Sequence, residues 1–332
     1  MANCNKLFCD YSKNITPSNE QMQQMITSRT ALEKKIITKL EEKLGMTPTF
    51  YTQGSASKHM RTIIIKENGT YDADRGVYLP RKPDVSATTV QRYVYEAVND
   101  HTADGAEHRK KCIRVFYRCA YNIDFPVYYE ITGEDYAYMA VKDNGWIKDD
   151  PSHMITWFEK RKDADGQLIR MVKYLKGWAS KCSFKMPSGI ALTIWATSNF
   201  VSAKDRDDEC LYNLLKAIRS ANYYRVSCIS PVEPYDDLTA KLTEDQKSKF
   251  RAELDKFIDD AKKALDETNQ LKASRIWQKH LGQRFPDGAD ENTDAKMKAL
   301  YAAAGMTSRL TSSGQFSNTS GVTGQYNRNY GS

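Results

Sequence analysis

Two aspartates separated by one residue stand in a run with the composition of a β-strand. The run is YDADRGVYL, and its aspartates are Asp72 and Asp74. Because successive side chains of a strand point to opposite faces, residues two apart share a face. A third aspartate, Asp124, lies in another β-like run, YNIDFPVYYEI, and could face the first two. Converging carboxylates of this kind can hold two Mg²⁺ ions roughly 4 Å apart, as phosphoryl transfer requires.

A glycine–serine pair precedes these aspartates by about 17 residues. Gly54 and Ser55 follow the run TFYTQ directly, where a strand would turn. Backbone N–H groups and a hydroxyl exposed at such a turn can bind a phosphate. An isolated Asp-x-Asp pair carries little weight, so the order of strand, Gly-Ser turn, paired aspartates and third strand aspartate carries the prediction. Other Asp-x-Asp pairs occur in polar segments typical of helix ends, namely Asp163/Asp165 and Asp205/Asp207.

An alternative metal site would combine two histidines with two cysteines: His101, His108, Cys112 and Cys119. The two cysteines are seven apart in a β-like run, which puts their side chains on opposite faces. The chain has seven cysteines and no CxxC pair. This odd, scattered set argues against a disulfide framework, so reduced thiols are expected.

The elements that must position the aspartates are predicted from periodicity. A long helix begins at Ser18, where Ser18 and Gln21 can form a capping box, and ends at Gly45. From Thr47 to about Asp143, short runs rich in β-branched and aromatic residues predict a sheet, which is interrupted by one helix from Val85. The predicted strands include TFYTQ, RTIIIK, YDADRGVYL, CIRVFYR, YNIDFPVYYEI and DYAYMAV.

Beyond Pro151 the apolar periodicity is helical. The predicted fold class is therefore α+β, with a mixed-sheet catalytic lobe over residues 1–150 and a helical lobe over 151–306. Residues 307–332 are rich in Ser, Gly, Asn and Thr, and they bury too little to offset their ordering entropy, so a disordered tail is predicted.

Composition excludes some classes of function. No apolar run approaches the roughly 18 residues of a membrane span, and the N-terminus lacks the features of a secretory signal, so a cytosolic protein is expected. The net charge of +7 suits a phosphate-bearing partner. The basic residues are dispersed, which favours small phosphorylated ligands over a stable nucleic-acid partner.

These residues together resemble the DNA polymerase β-like nucleotidyltransferases, and specifically the cGAS/DncV-like group (CD-NTases) of bacterial CBASS anti-phage systems. The resemblance spans roughly residues 35–286. GSASKHMRT, YDADRGVYL and YNIDFPVYYEI carry the superfamily motifs. The pieces that narrow the resemblance to this group are WIKDDPSHMITWF, RMVKYLKGW, KMPSGIALTIW, SPVEPYDDLTAKL and RIWQKHLGQRFP.

The resemblance implies a role for each matching residue. Asp72, Asp74 and Asp124 would bind two Mg²⁺ ions, with Mn²⁺ as a substitute, and activate a ribose hydroxyl. The remaining implied ligands bind the triphosphate of a donor nucleotide: Gly54, Ser55, Lys173 and Ser188. Lys173 could also lie on a solvated helix face, with Lys176 in its place if the register differs by a turn, and Ser188 could be a helix N-cap. Asp236 or Asp237, in the loop SPVEPYDDLT, could border the pocket or cap a helix.

The implied activity joins nucleoside triphosphates, ATP among them, into a cyclic di- or trinucleotide that signals to a separate effector protein. Two rival interpretations remain open. One is a related enzyme that acts on an RNA or small-molecule acceptor, as an oligoadenylate synthetase does, and the other is a catalytically silent nucleotide-binding scaffold. A further hypothesis, weaker than a plain disordered tail, is that the C-terminus ending in Gly331 and Ser332 is conjugated to a partner protein.

Overall fold

An eight-stranded mixed sheet lies in the first half of the chain. The computed structural model describes residues 2–118 and 120–292, together with three two-residue strands further on. The sheet order is β3-β4-β5-β2-β6-β7-β8, with β1 paired to β2. The strands are β1 Thr49–Gln53, β2 Tyr71–Leu79, β3 Ala106–His108, β4 Ile113–Tyr117, β5 Tyr121–Phe125, β6 Val127–Glu130, β7 Ala137–Val141 and β8 Gly145–Lys148.

Strand β2 is the centre of this sheet because it pairs with three others. Its first half runs parallel to β5 and its second half runs parallel to β6. Pro126 separates β5 from β6, consistent with a residue that has no N–H to donate to a ladder. Strand β1 pairs antiparallel with β2, which brings the chain that follows β1 beside the aspartates of β2.

Two helices pack with the sheet to form the core of the catalytic lobe. Helix α2 (Asn19–Leu44) begins with the predicted capping box of Ser18 and Gln21, and it ends at Gly45 in the left-handed conformation. Helix α3 (Ala87–Val98) is capped by Ser86, whose hydroxyl accepts a hydrogen bond from the Thr89 N–H. The bounds of α2 and the start of α3, two residues after the predicted Val85, therefore follow from local capping chemistry.

The second core belongs to a helical lobe. Helix α1 (Asn5–Asn14) packs in this core against α5 and α7, although the division at residue 150 assigns it to the catalytic lobe. The fully buried carboxylate of Asp207 accepts hydrogen bonds from Arg170 and Tyr174, and Asn5 accepts one from the Asp207 N–H. The remaining helices are α4 Pro151–Glu159, α5 Gln167–Lys181, α6 Gly189–Asn199, α7 Asp207–Ala221, α8 Glu244–Asp266 and α9 Gln270–Leu281.

The predicted α+β fold with a mixed-sheet lobe and a helical lobe is confirmed, with local differences. The run RTIIIK, residues 61–66, is not a strand. It is an extended segment between the lobes, and its backbone groups bond elsewhere: Ile65 donates to the Ile15 carbonyl at 2.7 Å, and Arg284 donates to the Lys66 carbonyl at 2.6 Å. Strands β3 and β8 were not predicted, because both are short and partly exposed.

Most of the predicted disordered tail lies outside the described residues. Within it the structure describes only three paired strands, β9 (Arg309–Leu310), β10 (Phe316–Ser317) and β11 (Val322–Thr323). Gly331 and Ser332, the residues of the conjugation hypothesis, also lie outside the described residues. No helix in residues 2–118 or 120–292 is long and apolar enough to cross a membrane.

The close approach of α1 to α5 gives a prediction for stability. A Cβ atom on Gly177 would overlap the Tyr11 hydroxyl, and Tyr11 is fixed by its ring contacts with Tyr174 and Phe285. Gly177→Ala should therefore destabilise the protein by about 1–3 kcal/mol in urea unfolding, despite the better helix propensity of alanine. Adding Tyr11→Phe, which removes the hydroxyl, should recover part of that loss; strictly additive effects of the two changes would contradict this account.

Candidate active site

The register of β2 with β5 brings the three predicted aspartates together. Asp74 lies directly opposite Asp124 in the parallel pair, and Asp72 lies opposite Asn122. The Asn122 amide donates a hydrogen bond of 2.8 Å to Asp72 Oδ1. Ala73 and Ile123 alternate with these polar residues and are buried in the core, so the carboxylates face the opposite side of the sheet.

Two basic side chains already contact the carboxylates. Arg114 lies opposite Asp124 on β4, and its Nε and Nη2 donate to Asp124 Oδ1 and Oδ2 at 2.7 and 2.6 Å. Arg114 Nη1 also lies 3.6 Å from Asp72 Oδ1. The Lys66 ammonium donates to Asp72 Oδ2. Although burial opposes the shift, the hydrogen bond and charge of Lys66 lower the pKa of Asp72.

Asp74 has a different environment, because its carboxylate lies against the Gly-Ser turn. Gly54 has a φ of +57°, and a Cβ on it would lie 2.5 Å from Asp74 Oδ2. Glycine is therefore required here both by the left-handed backbone and by the approach of the carboxylate. Burial, followed by the negative charges of Asp124 and Asp72, raises the pKa of Asp74 to about 7. The ionised form of Asp74 is therefore disfavoured relative to an exposed aspartate, although the charges of Arg114 and Lys176 partly offset the shift.

These residues fit a divalent metal in their chemistry. The donors are carboxylate oxygens, which Mg²⁺ and Mn²⁺ prefer. Burial, and then the neighbouring charges of Asp124 and Asp72, raise the pKa of Asp74, and a cation bound beside them would offset both effects. No group of three His, Cys, Asp or Glu side chains within the described residues is arranged as a ready-made metal site. At this cluster, Arg114 and Lys66 already pair with the carboxylates of Asp124 and Asp72.

A cavity of about 650 Å³ lies in front of the carboxylates and is lined from both lobes. Gly54 and Ser55 line it from the turn, where a 3-10 turn spans Gly54–Ala56. Ser188 lines it from the helical lobe and also caps α6, since its Oγ accepts a hydrogen bond from the Ala191 N–H. The binding and capping interpretations of Ser188 are therefore compatible, because the N-terminus of a helix attracts anions.

The two candidate lysines of α5 occupy different places. Lys176 lines the cavity, and its ammonium donates to the Thr62 carbonyl and hydroxyl at 3.1 Å each. Lys173 does not line the cavity, and its ammonium donates to the Thr16 hydroxyl at 2.8 Å. Burial lowers the pKa of each lysine to about 8; nearby positive charge adds to this effect, and the Asp74 carboxylate opposes it at Lys176. The arrangement therefore favours Lys176, the alternative one turn further along α5, as the lysine that lines the cavity.

A second cavity of about 390 Å³ also reaches this cluster, at Asp74. Gly54 and Asp74 line both cavities, so the two spaces meet at the Asp74 carboxylate. Asp236 lines the second cavity. Asp237 instead fixes the loop, since its carboxylate accepts hydrogen bonds from the N–H groups of Cys228 and Thr239. Asp237 does not cap helix α8, whose N-cap is Thr243.

The aromatics near the motifs are mostly core residues. Tyr71, Tyr78, Tyr128 and Trp178 are buried, and Tyr235 is exposed. Tyr128 stacks on Tyr78 with ring centroids 4.7 Å apart, and it also lines the second cavity. None of these five aromatic residues is therefore assigned a role in stacking on a base.

Lys66, Arg114 and Asn122 were not predicted as site residues. Arg114 and Asn122 could have been found from the alternation of their strands, since IRV and NID each place a polar residue next to buried apolar ones. Lys66 gave no such signal, because it lies in the extended segment. The zinc alternative gains no support from the described residues, which exclude Cys119 and contain no three-residue ligand group.

The two-lobed fold is similar to that of known nucleotidyltransferases. The family model described as "Cyclic GMP-AMP synthase DncV-like, nucleotidyltransferase domain" matches residues 48–128. The matched residues contain the Gly-Ser turn and all three aspartates. The predicted resemblance to cGAS/DncV-like enzymes is confirmed.

Several relatives share sequence or fold with the chain. It is 25% identical over 157 residues to a cyclic AMP-AMP-AMP synthase of an Acinetobacter strain, a match that spans 45% of this chain and 46% of that protein. The fold is similar to that of Vibrio cholerae DncV, a cyclic AMP-GMP synthase, with a TM-score of 0.74, 15% identity, and coverage of 86% of this chain and 98% of DncV. The Bradyrhizobium diazoefficiens CD-NTase CdnG in complex with GTP gives a TM-score of 0.68, 13% identity, and coverage of 84% and 95%.

The opposite pKa shifts of the paired aspartates predict opposite responses to neutralisation. The ordinary pKa of 3.8 applies to unfolded Asp74, and its folded pKa is about 7, so the metal-free fold loses stability as pH rises between these values. Asp74→Asn should therefore raise the melting temperature in EDTA at pH 8 and have little effect near pH 4.

Asp72→Asn is the matched control. Because the folded pKa of Asp72 is lowered, its charged form stabilises the fold above the unfolded pKa. This variant should lower the melting temperature at pH 8, as measured by differential scanning fluorimetry. Shifts of the same sign for both variants at pH 8 would contradict the charge distribution described here.

Proposed function

We propose that this protein condenses nucleoside triphosphates into a cyclic di- or trinucleotide. The observation that carries the proposal is that two cavities adjoin at the Asp74 carboxylate, and that the larger of the two is also lined by Asp72 and Asp124. A nucleotidyl transfer needs adjoining spaces of this kind, because a donor triphosphate and an acceptor hydroxyl must both reach the same metal-binding carboxylates.

In each transfer, the oxygen of a 2′ or 3′ hydroxyl forms a bond to the α-phosphorus of the donor, and the hydroxyl loses its proton. The bond from that phosphorus to the oxygen that bridges the α- and β-phosphates breaks, and pyrophosphate leaves. When bound, two Mg²⁺ ions lower the pKa of the attacking hydroxyl and neutralise the leaving phosphates. Asp72, Asp74 and Asp124 would hold these ions. A second or third transfer within the same cleft closes the ring.

The chain's own groups would bind and orient the donor triphosphate. The Gly54 backbone and the Ser55 hydroxyl offer hydrogen bonds to its phosphates, and Ser188 offers the N-terminus of α6. Lys176 supplies positive charge toward the departing pyrophosphate in preference to Lys173, because it shares the cavity and its field reaches Asp74.

The relatives supply the wider context. DncV has been observed with the linear intermediate 5′ pppA(3′,5′)pG, and CdnG has been observed with GTP. We propose that purine triphosphates, ATP among them, are substrates of this protein. We also propose a cytosolic role in a bacterial CBASS anti-phage system in which the product binds a separate effector.

The proposal makes metal-dependent turnover depend on the paired aspartates. Purified protein incubated with Mn²⁺ or Mg²⁺ and all four triphosphates, without RNA or another acceptor, should give a phosphatase-resistant product by mass spectrometry. Asp72→Asn with Asp74→Asn should lower its rate by about a thousandfold or more, because metal stabilisation of the transition state is worth several kcal/mol and each 1.36 kcal/mol is tenfold.

The matched control replaces two exposed aspartates of α8, Asp245 and Asp266, with asparagine; this variant should keep full activity. Product formed only when RNA or a small-molecule acceptor is added would favour the acceptor-dependent rival. Full activity of the Asp72/Asp74 double variant would remove the carboxylate cluster from the mechanism.

The two lysines of α5 can be separated by the same assay. Lys176→Met should lower kcat/KM for the triphosphate by about a hundredfold, since it removes a positive charge from the donor cavity. Lys173→Met should have the smaller effect on kcat/KM, because the Lys173 ammonium bonds Thr16 away from that cavity. A larger loss for Lys173→Met would return the phosphate-binding role to Lys173.

A further inference from the structure

The carboxylate cluster carries its own cations. Arg114 holds both oxygens of Asp124 through two short, parallel hydrogen bonds, and it also approaches Asp72. Lys66 pairs with the other oxygen of Asp72. Paired contacts between a guanidinium and a carboxylate are among the strongest polar contacts in proteins, since both partners are charged and the geometry is planar.

These contacts occupy the oxygens that a metal would need. A divalent ion between Asp72 and Asp124 would stand beside two positive charges, and at least one carboxylate would have to exchange its basic partner for the ion. Such an exchange is unfavourable while the released guanidinium or ammonium has no other anion, because a partly buried charge without a partner is destabilising. The side chain of Arg114 is only 16% exposed, so water compensates it poorly.

The same cavity offers a replacement anion. Arg114 and Lys66 line the 650 Å³ cavity together with Ser55, Ser188 and Lys176. A triphosphate bound there would bring up to four negative charges within reach of the released cations. A divalent ion and a triphosphate that arrive together therefore give the carboxylates and the released cations partners of opposite charge, whereas either one alone leaves charges of like sign close together.

We propose that Arg114 and Lys66 are resident counter-cations of the carboxylate cluster, which exclude free divalent metal and couple metal binding to binding of a nucleoside triphosphate. The inference rests on the proposed function, because it takes the carboxylates as the metal site. It assigns Arg114 and Lys66 as positioning residues that set the order of ligand binding. By linkage, the metal must strengthen triphosphate binding by the same factor as the triphosphate strengthens metal binding.

The test measures Mn²⁺ binding by electron paramagnetic resonance on the full-length protein, without turnover. Each sample is titrated alone and then with a saturating α,β-methylene analogue of ATP or of GTP, which cannot release pyrophosphate. The wild-type protein should bind Mn²⁺ weakly alone and much more tightly with an analogue. Arg114→Gln should bind free Mn²⁺ about tenfold or more tightly than wild type, because one positive charge is removed beside the carboxylates.

Arg114→Gln should also show a smaller gain in Mn²⁺ affinity when the analogue is added. Lys66→Met provides an independent variant in the same direction, in case Arg114→Gln does not fold, and melting temperatures check the fold of each. Arg114→Lys keeps the charge and should stay closer to wild type. The matched control is Arg92→Gln, which breaks an exposed pair with Glu96 on α3 and should leave Mn²⁺ affinity unchanged.

Failure of the inference and failure of the proposed function give different results. Equal affinity for free Mn²⁺ in wild type, Arg114→Gln and Lys66→Met, with metal binding still lost in Asp72→Asn/Asp74→Asn, would overturn the counter-cation role alone. No Mn²⁺ binding by any sample, even with either analogue, would overturn the metal site and the proposed function together.

Discussion

The parallel pairing of β2 with β5 is the constraint on which the site depends. It sets Asp74 opposite Asp124 and Asp72 opposite Asn122, so that residues about 50 positions apart in the chain share one surface. Antiparallel pairing of β1 with β2 then delivers Gly54 to the Asp74 carboxylate, where only a glycine fits. A slip of one residue between β2 and β5 would turn the carboxylates of one strand toward the apolar core, so the buried face of the sheet specifies the register and the register specifies the chemistry.

The cluster also shows how a structural core can support concentrated negative charge. Three carboxylates on neighbouring strands repel one another, and the fold offsets two of them with Arg114 and Lys66 while leaving Asp74 to protonate near neutral pH. The described residues accordingly bring three carboxylates together, two of them paired with basic side chains, without a ready-made metal site. Ligand chemistry and ligand arrangement are separate properties.

Much of the fold could be predicted because it follows from local patterns. The capping box at Ser18, the C-terminal Gly45 and the alternation around Asp72 and Asp74 each depend on nearby residues alone. The segment 61–66 was wrongly predicted as a strand, since its apolar, β-branched composition matches that of a ladder strand, and only the tertiary fold decides that its partners are Ile15 and Arg284. Lys66 and the packing of α1 in the helical lobe were hidden for the same reason, and so was the choice between Lys173 and Lys176: each depends on contacts between elements distant in the chain.

The extended segment has a mechanical consequence for the cleft. Lys176 donates a hydrogen bond to the Thr62 carbonyl near the start of this segment, and Arg284 donates one to the Lys66 carbonyl at its end. Lys176 and Arg284 both belong to the helical lobe. The same segment carries the ammonium that neutralises Asp72 in the catalytic lobe. The segment therefore connects the two lobes instead of forming a strand of the sheet. Lys66 contacts both lobes, since its carbonyl accepts a hydrogen bond from Arg284 and its ammonium pairs with Asp72. A change in the position of one lobe relative to the other would act on both contacts at this one residue.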